Sequence, residues 1–311
     1  AAGRGRAYLG VMADLFDTPD ASPQREAPRP LADRLRPRQL SEVIGQGHVL
    51  SREGPLGSML AAHSLSSLIL WGPPGVGDAP LICGTALSRL VDKWEVTHDP
   101  AVKSDAAKLA KGVLNLAILH GYKGFVCRGF CNDGKTTVSL SSRDQYTHWV
   151  HGLWRYCSSS MADPAIVQGY REQIVEVAKF METRVTAENQ WNFGYADDYS
   201  KPDYRTICTM WGPEVWPHEA ARLPMIYVAA YMATGDTHWK ALYEKLIDEA
   251  LDITLKVKYG GFKDKTPEQM QGRMPCYSLF QCVVSFDPII AYEKDLKRRA
   301  RIQEAMETFA G

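Results

Sequence analysis

Apolar positions recur at helical spacing through most of the chain beyond residue 100. Val102, Ala106, Leu109, Val113 and Leu116, with His120, trace one face. Val167, Tyr170, Ile174, Val177, Met181 and Val185 trace another. That run follows Asp163-Pro164, a capping residue and a proline at the first helical position. Asp236 opens a third helix with Trp239, Leu242, Leu246, Ala250 and Ile253 on one side, and Asp287-Pro288 opens a last one reaching about Phe309. Shorter helices are predicted over 142–157, 217–233 and 277–286. Before residue 80 the pattern differs. Leu31–Leu35 is a short amphipathic piece stopped by Pro37, and Leu56–Ala62 has helical spacing. Ser67-Leu-Ile-Leu-Trp71 is a strand-sized apolar run ending in a Gly/Pro loop. Residues 1–30 have no periodicity and are rich in Pro, Arg, Asp and Ala, the texture of a disordered lead-in.

The expected fold is therefore mainly α. A disordered segment (1–30) leads into a short α/β P-loop-like fragment (31–95), followed by a domain of helical hairpins (96–311).

Composition narrows the function classes. At 45% hydrophobic and 23% charged, the chain has the balance of a water-soluble globular protein. Thirty-six basic side chains match thirty-six acidic ones, so no global basic field points to nucleic acid. No apolar run is long enough to span a membrane, and Ala1–Val11 lacks a hydrophobic signal core. Seven cysteines, an odd number, argue against a disulfide framework. Cys127-x3-Cys131 is the only close pair, and no second ligand pair follows it at zinc spacing. A cytoplasmic protein without a metal or cofactor is expected.

Gly72-Pro-Pro-Gly75-Val-Gly77 is the glycine frame of a phosphate loop. In G-x-x-x-x-G-K-[ST], the glycines let backbone N–H groups wrap the phosphates, the lysine neutralises them and the hydroxyl holds Mg²⁺. Here Asp78 and Ala79 stand where lysine and Ser/Thr belong. Exchanging plus for minus at ~4 Å and an effective dielectric of ~20 costs up to roughly 8 kcal/mol. Ala79 cannot ligate Mg²⁺, and Pro80 removes a backbone donor.

The order Pro30-Leu-Ala-Asp-Arg-Leu-Arg-Pro37, Val43-Ile-Gly-Gln46, Gly54-Pro-Leu56 and Ser66–Gly75 resembles the start of the replication-associated recombination ATPases. These are AAA+ proteins related to the Werner-helicase-interacting ATPase. The likeness covers about residues 12–77. It implies ATP binding and work at DNA ends and stalled forks. It stops after Gly77, because no apolar strand here ends in the Asp-Glu pair of that family. Asp248-Glu249 lies inside an amphipathic helix.

Two polar clusters carry the candidate chemistry of the helical region. A helix from Ser142 places Asp144, His148, His151 and Arg155 on one face, and Tyr146, Trp149, Val150 and Leu153 on packing faces. Asp144 has two readings that are compatible. It completes a capping box with Ser141, or it works with His148 as an acid/base pair. The second cluster is Trp211-Gly-Pro-Glu214-Val-Trp216-Pro-His218-Glu219, with Arg222 at helical spacing behind it. Trp191, Tyr195, Trp211 and Trp216 fall in loops, where indoles either stack on sugar rings or cover the edges of helix pairs.

The Ser-Arg-Asp-Gln-Tyr-Thr-His helix start (142–148), Gly152-Leu-Trp-Arg-Tyr156 and the paired helices resemble the six-hairpin (α/α) toroid glycosidases. That likeness implies a carbohydrate-active, glycoside hydrolase- or lyase-like domain. Its catalytic candidates are Asp144 and His148, with Asp133, Glu214 or Glu219 as partner carboxylate. Its substrate-binding candidates are Arg143, Trp191, Trp211, Trp216 and His218. Three to four helix pairs fall short of a closed six-pair ring, so the toroid-like region is incomplete and inactive if truncated. On this reading carbohydrate is the partner, no membrane is involved, and Asp78 and Ala79 put nucleotide binding at Gly72, Gly75 and Gly77 in doubt. The alternatives are a DNA-maintenance AAA+ ATPase with a defective phosphate loop, the only reading that brings in DNA, and a chimeric or artificial chain with no working site.

Overall fold

The computed structural model describes residues 79–130, 136–138, 141–194, 208–213, 215–259 and 276–310. All lie in the second of two units, 1–68 and 69–311, into which the chain divides. The readings of the lead-in, of Leu31–Leu35, Leu56–Ala62 and Ser67–Trp71, and of the phosphate loop lie outside the described residues. So no α/β fragment is described, and among the described residues only two isolated antiparallel bridges, Phe130 with Thr137 and Asn192 with Thr209, break the helical pattern.

The mainly helical expectation holds. The elements are α1 (Ala79–Thr97), α2 (Pro100–Asn115), α3 (Arg143–Cys157), α4 (Pro164–Arg184), α5 (Arg222–Thr234), α6 (Thr237–Tyr259), α7 (Cys276–Tyr292) and α8 (Leu296–Ala310). Their ends follow local chemistry. Asp99 and Asp163 cap α2 and α4 by accepting from the N–H of Ala101 and Ala165, 2.9 and 2.8 Å away, each with proline next in line. α5 stops at Gly235, whose φ of 74° is the left-handed conformation that closes a helix.

α3 is the axis of the packing. It touches α1, α2, α4, α5 and α7. Tyr146, Trp149, Val150, Leu153 and Tyr156 on its packing faces are fully buried. The tightest junction is with α1. A Cβ at Gly84 would lie 2.1 Å from the His148 carbonyl oxygen, and one at Gly152 would lie 2.5 Å from the Gly84 carbonyl oxygen. The two helices therefore cross backbone to backbone, which only glycine permits.

Two elements depart from the sequence expectation. α1 was not foreseen, although Cys83, Leu87 and Val91 form a buried i, i+4, i+8 stripe on α2 and α3. Pro288 was expected to start a helix; instead α7 runs through it and the break falls at Glu293–Asp295. Cys282, Phe286 and Ile289 continue one buried face across the proline. Asp287, which would have capped a new helix, spends its carboxylate on α3. The new start is instead made by Glu293, which accepts from the N–H of Lys294 and Asp295, and by Asp295, which accepts from the N–H of Arg298.

Candidate functional site

The polar face of α3 gathers partners from three other helices. Ser141 donates to the Val126 carbonyl at 2.6 Å, and the side chain of Ser142, the capping residue, makes no capping bond. The capping box is therefore not formed, and Asp144 pairs with Arg222. Arg222 is 1% exposed and also donates to Gln281 Oε1 on α7 at 2.5 Å. Arg143 pairs with Glu219 and donates to the Thr209 carbonyl at 3.3 Å. His218 Nε2 sits 3.4 Å from the same Glu219. Two arginines and two carboxylates thus share one mostly buried cluster between α3, the entry to α5 and α7.

Burial pushes the Asp144 carboxyl up, but the charge and hydrogen bond of Arg222, with Arg143 and Gln281, hold it below the usual range. Burial works the same way at Glu219, and His218, Arg222 and Arg143 overcome it. Both groups are ionised acceptors at neutral pH. Neither is poised to donate a proton, which is what a catalytic acid must do.

One turn on, Thr85 Oγ1 donates to the Leu81 carbonyl at 2.8 Å and lies 3.1 Å from His148 Nδ1, so Nδ1 carries the proton that Thr85 accepts. Burial, with His151 and Arg222 nearby, lowers the His148 pKa to about 3. The folded state therefore refuses a proton that the unfolded chain binds below about 6.5. Stability falls as pH drops from there toward 3, by up to roughly 1.4 kcal/mol per pH unit. His148→Asn, whose amide can still donate to Thr85, is expected to flatten that slope between pH 6.5 and 4.5 in urea titrations. An unchanged slope contradicts the assignment. Asp144, Glu219 and Asp287, all depressed, lose their contributions only as pH falls below about 4.

Farther along, His151 Nε2 meets Asp287 Oδ2 at 2.9 Å, and Arg155 bridges that carboxylate at 3.6 Å to Asp92 of α1 at 2.6 Å. The face expected to hold Asp144, His148, His151 and Arg155 together does so, and each residue of it has a partner from another element.

Asp133, Glu214, Tyr195, Gly72, Gly75 and Gly77 lie outside the described residues. Trp211 is buried. Trp191, at a left-handed φ of 60°, lays its indole over Gly212, where a Cβ would be 2.2 Å from the ring. Trp216 tilts against His218 at 6.2 Å. Sequence reasoning missed Thr85, Gln281 and Asp287, and gave Arg222 no role. Arg222 had a readable signal: it heads the apolar run Leu-Pro-Met-Ile-Tyr-Val-Ala-Ala, where a charge must be paired.

α1 also bears on the phosphate loop. The Ala79 N–H donates to the Arg128 carbonyl at 2.9 Å, and Pro80 has no N–H. The first two positions after Asp78 therefore offer no free backbone donor to a phosphate, and neither offers a hydroxyl to Mg²⁺. The residues present do not fit the hydrolytic metal of a phosphate-loop ATPase.

Comparison with known proteins finds similarity over part of the chain. The chain is similar to curated relatives that carry an AAA domain or a recombination name. One is the replication-associated recombination protein A of Escherichia coli (strain K12), 49% identical over 88 residues, 27% of this chain and 18% of that protein. The protein of the same name in Bacillus subtilis (strain 168) is 41% identical over 63 residues, 20% of this chain and 15% of that protein. An uncharacterised AAA domain-containing protein of Mycobacterium tuberculosis is 46% identical over 77 residues, 23% of this chain and 17% of that protein. The chain spans less than a fifth of the length of these relatives. No family model and no solved structure matches it.

These findings overturn the carbohydrate reading. Neither the relatives nor any solved structure supports the glycosidase-toroid likeness, the hydrolase or lyase function drawn from it, or carbohydrate as partner. The buried arginines, which keep Asp144 and Glu219 ionised, agree with that correction. The doubt cast on nucleotide as a ligand class is corrected too, since the relatives are named as replication-associated recombination proteins and, in one case, as an AAA domain-containing protein. No helix among the described residues is long and apolar enough to cross a membrane.

Proposed function

We propose that this chain is a non-hydrolysing relative of the replication-associated recombination ATPases, taking a nucleoside triphosphate at Gly72–Gly77 in the service of DNA maintenance in the cytoplasm. The observation that carries the reading is 49% identity over 88 residues to the Escherichia coli protein. The ordered blocks Pro30–Pro37, Val43–Gln46 and Ser66–Gly77 agree with it. Recognition rests on the backbone N–H groups of the glycine loop, because Asp78 opposes a phosphate and Ala79 cannot hold Mg²⁺. Turnover is not part of the proposal. The test is thermal stabilisation of the full chain by ATP, native against Asp78→Lys/Ala79→Thr. A ligand that binds the folded state raises its stability with the logarithm of concentration over Kd. The double variant is expected to shift more than the native chain at every ATP concentration. Equal shifts, or no shift in either protein, sink the reading.

A further inference from the structure

We propose that α8 is a strap held down by charge: it undocks as one unit while α6 and α7 stay folded, and ionic strength sets how firmly it is held. α8 packs on α6 and α7. Its apolar hold on them is small. Among its described side chains only Ile302 and Ala305 are buried, and Leu296 at its first position is 80% exposed. α5, by contrast, buries every residue from Arg222 to Ala230. Burial of an apolar face is what keeps most helices in place, and α8 has little of it.

A ladder of ion pairs on α6 takes over that task. Glu244, Asp248 and Asp252 stand at i, i+4 and i+8, a stripe of like charge that repels itself when bare. Arg298 holds Asp248 with two nitrogens, at 2.7 and 3.1 Å, and also pairs with Glu244. Arg301 meets Asp252 at 2.5 Å and Asp248 at 3.7 Å. A forked contact and a shared carboxylate make this a network, the kind of surface pairing that does contribute. The three carboxylates are 37%, 55% and 70% exposed, so dissolved salt screens them. Different contacts fix the pivot. Glu293 accepts from the Tyr243 hydroxyl at 2.7 Å, and Arg299 donates to the Ile290 and Glu293 carbonyls at 2.7 and 2.8 Å. Fifteen residues are marginal as a helix alone in water, so α8 melts as it leaves. Its release bares the acidic stripe of α6.

The experiment is hydrogen exchange of the full chain, read peptide by peptide by mass spectrometry. Salt is raised from about 0.1 M to about 1 M, which shortens the screening length from roughly 10 Å to roughly 3 Å. High salt is expected to speed exchange about tenfold and evenly along Leu296–Ala310, while α3 keeps its rate. Arg298→Gln/Arg301→Gln is expected to exchange α8 at the fast rate already at low salt and to lose the salt dependence. Lys297 is exposed and lies outside the ladder, and Lys297→Gln is expected to behave as the native chain. Salt-independent exchange of α8 in the native chain overturns the proposal. So does exchange of α8 only at the rate of α3, which is global opening, or protection that fades gradually toward Ala310, which is end fraying. Native exchange in the double glutamine variant overturns it as well.

Discussion

Arg222→Met is expected to destabilise the helical unit by about 3–5 kcal/mol, the cost of leaving a buried partner charge uncompensated. The substitution strands Asp144 and removes the bond that ties Gln281 of α7 to α5. Two further measurements separate this cause from simple loss of packing. The loss should shrink at pH 3, because once Arg222 is removed burial favours the neutral carboxyl of Asp144, and a protonated Asp144 leaves no unpaired buried charge. Asp144→Leu in the Arg222→Met background should recover a large part of the loss, since a paired charge replaced by apolar groups of similar size is close to neutral. Urea denaturation at pH 7 and pH 3 reads both effects. A penalty independent of pH, with no recovery in the double variant, places the role of Arg222 in packing alone.

Gly84→Ala is expected to cost at least about 3 kcal/mol, at the upper end for overpacking. The added carbon would meet the His148 carbonyl oxygen at 2.1 Å, and a backbone oxygen has no rotamer with which to step aside. Gly152→Ala attacks the same crossing from α3, its Cβ 2.5 Å from the Gly84 carbonyl oxygen. Once one alanine has pushed α1 off α3 the second finds room, so the double variant should cost clearly less than the sum of the singles. Ser88→Ala, one turn along the same buried side of α1, serves as the control and should cost little. Thermal melts of the three glycine variants and the control test this. Gly84→Ala at native stability would show that the helices do not cross at this distance.

Helices that announce their own start were legible in the sequence. Asp163-Pro164 and Asp236 each stand ahead of an apolar stripe, so α4 and α6 could be drawn from local chemistry, and α2 from its stripe alone. α1 could not, because its defining feature is a close approach: Gly84 lowers helix propensity and reads as a breaker until α3 is beside it. Pro288 misled for the converse reason. A proline breaks a helix in isolation, yet the buried face of Cys282, Phe286 and Ile289 carries α7 through it. The polar face of α3 was readable as a face, since Asp144, His148, His151 and Arg155 share helical spacing. Its meaning was not readable, because the partners stand far off in sequence. Arg222 lies 78 residues from Asp144, and Asp287 lies 136 from His151. Without them a capping role and an acid/base role both fitted Asp144, and the structure pairs it with Arg222.

The proposed function requires Gly72–Gly77 to bind phosphate despite Asp78. The most direct measurement is the affinity of the full chain for ATP by calorimetric titration, native against Asp78→Lys/Ala79→Thr. Half of the charge-reversal cost, about 4 kcal/mol, corresponds to roughly a thousandfold in affinity. Weak binding by the native chain without hydrolysis is expected, and a gain of that order in the double variant. ATP turnover by the native chain, or equal affinity in the two proteins, contradicts it.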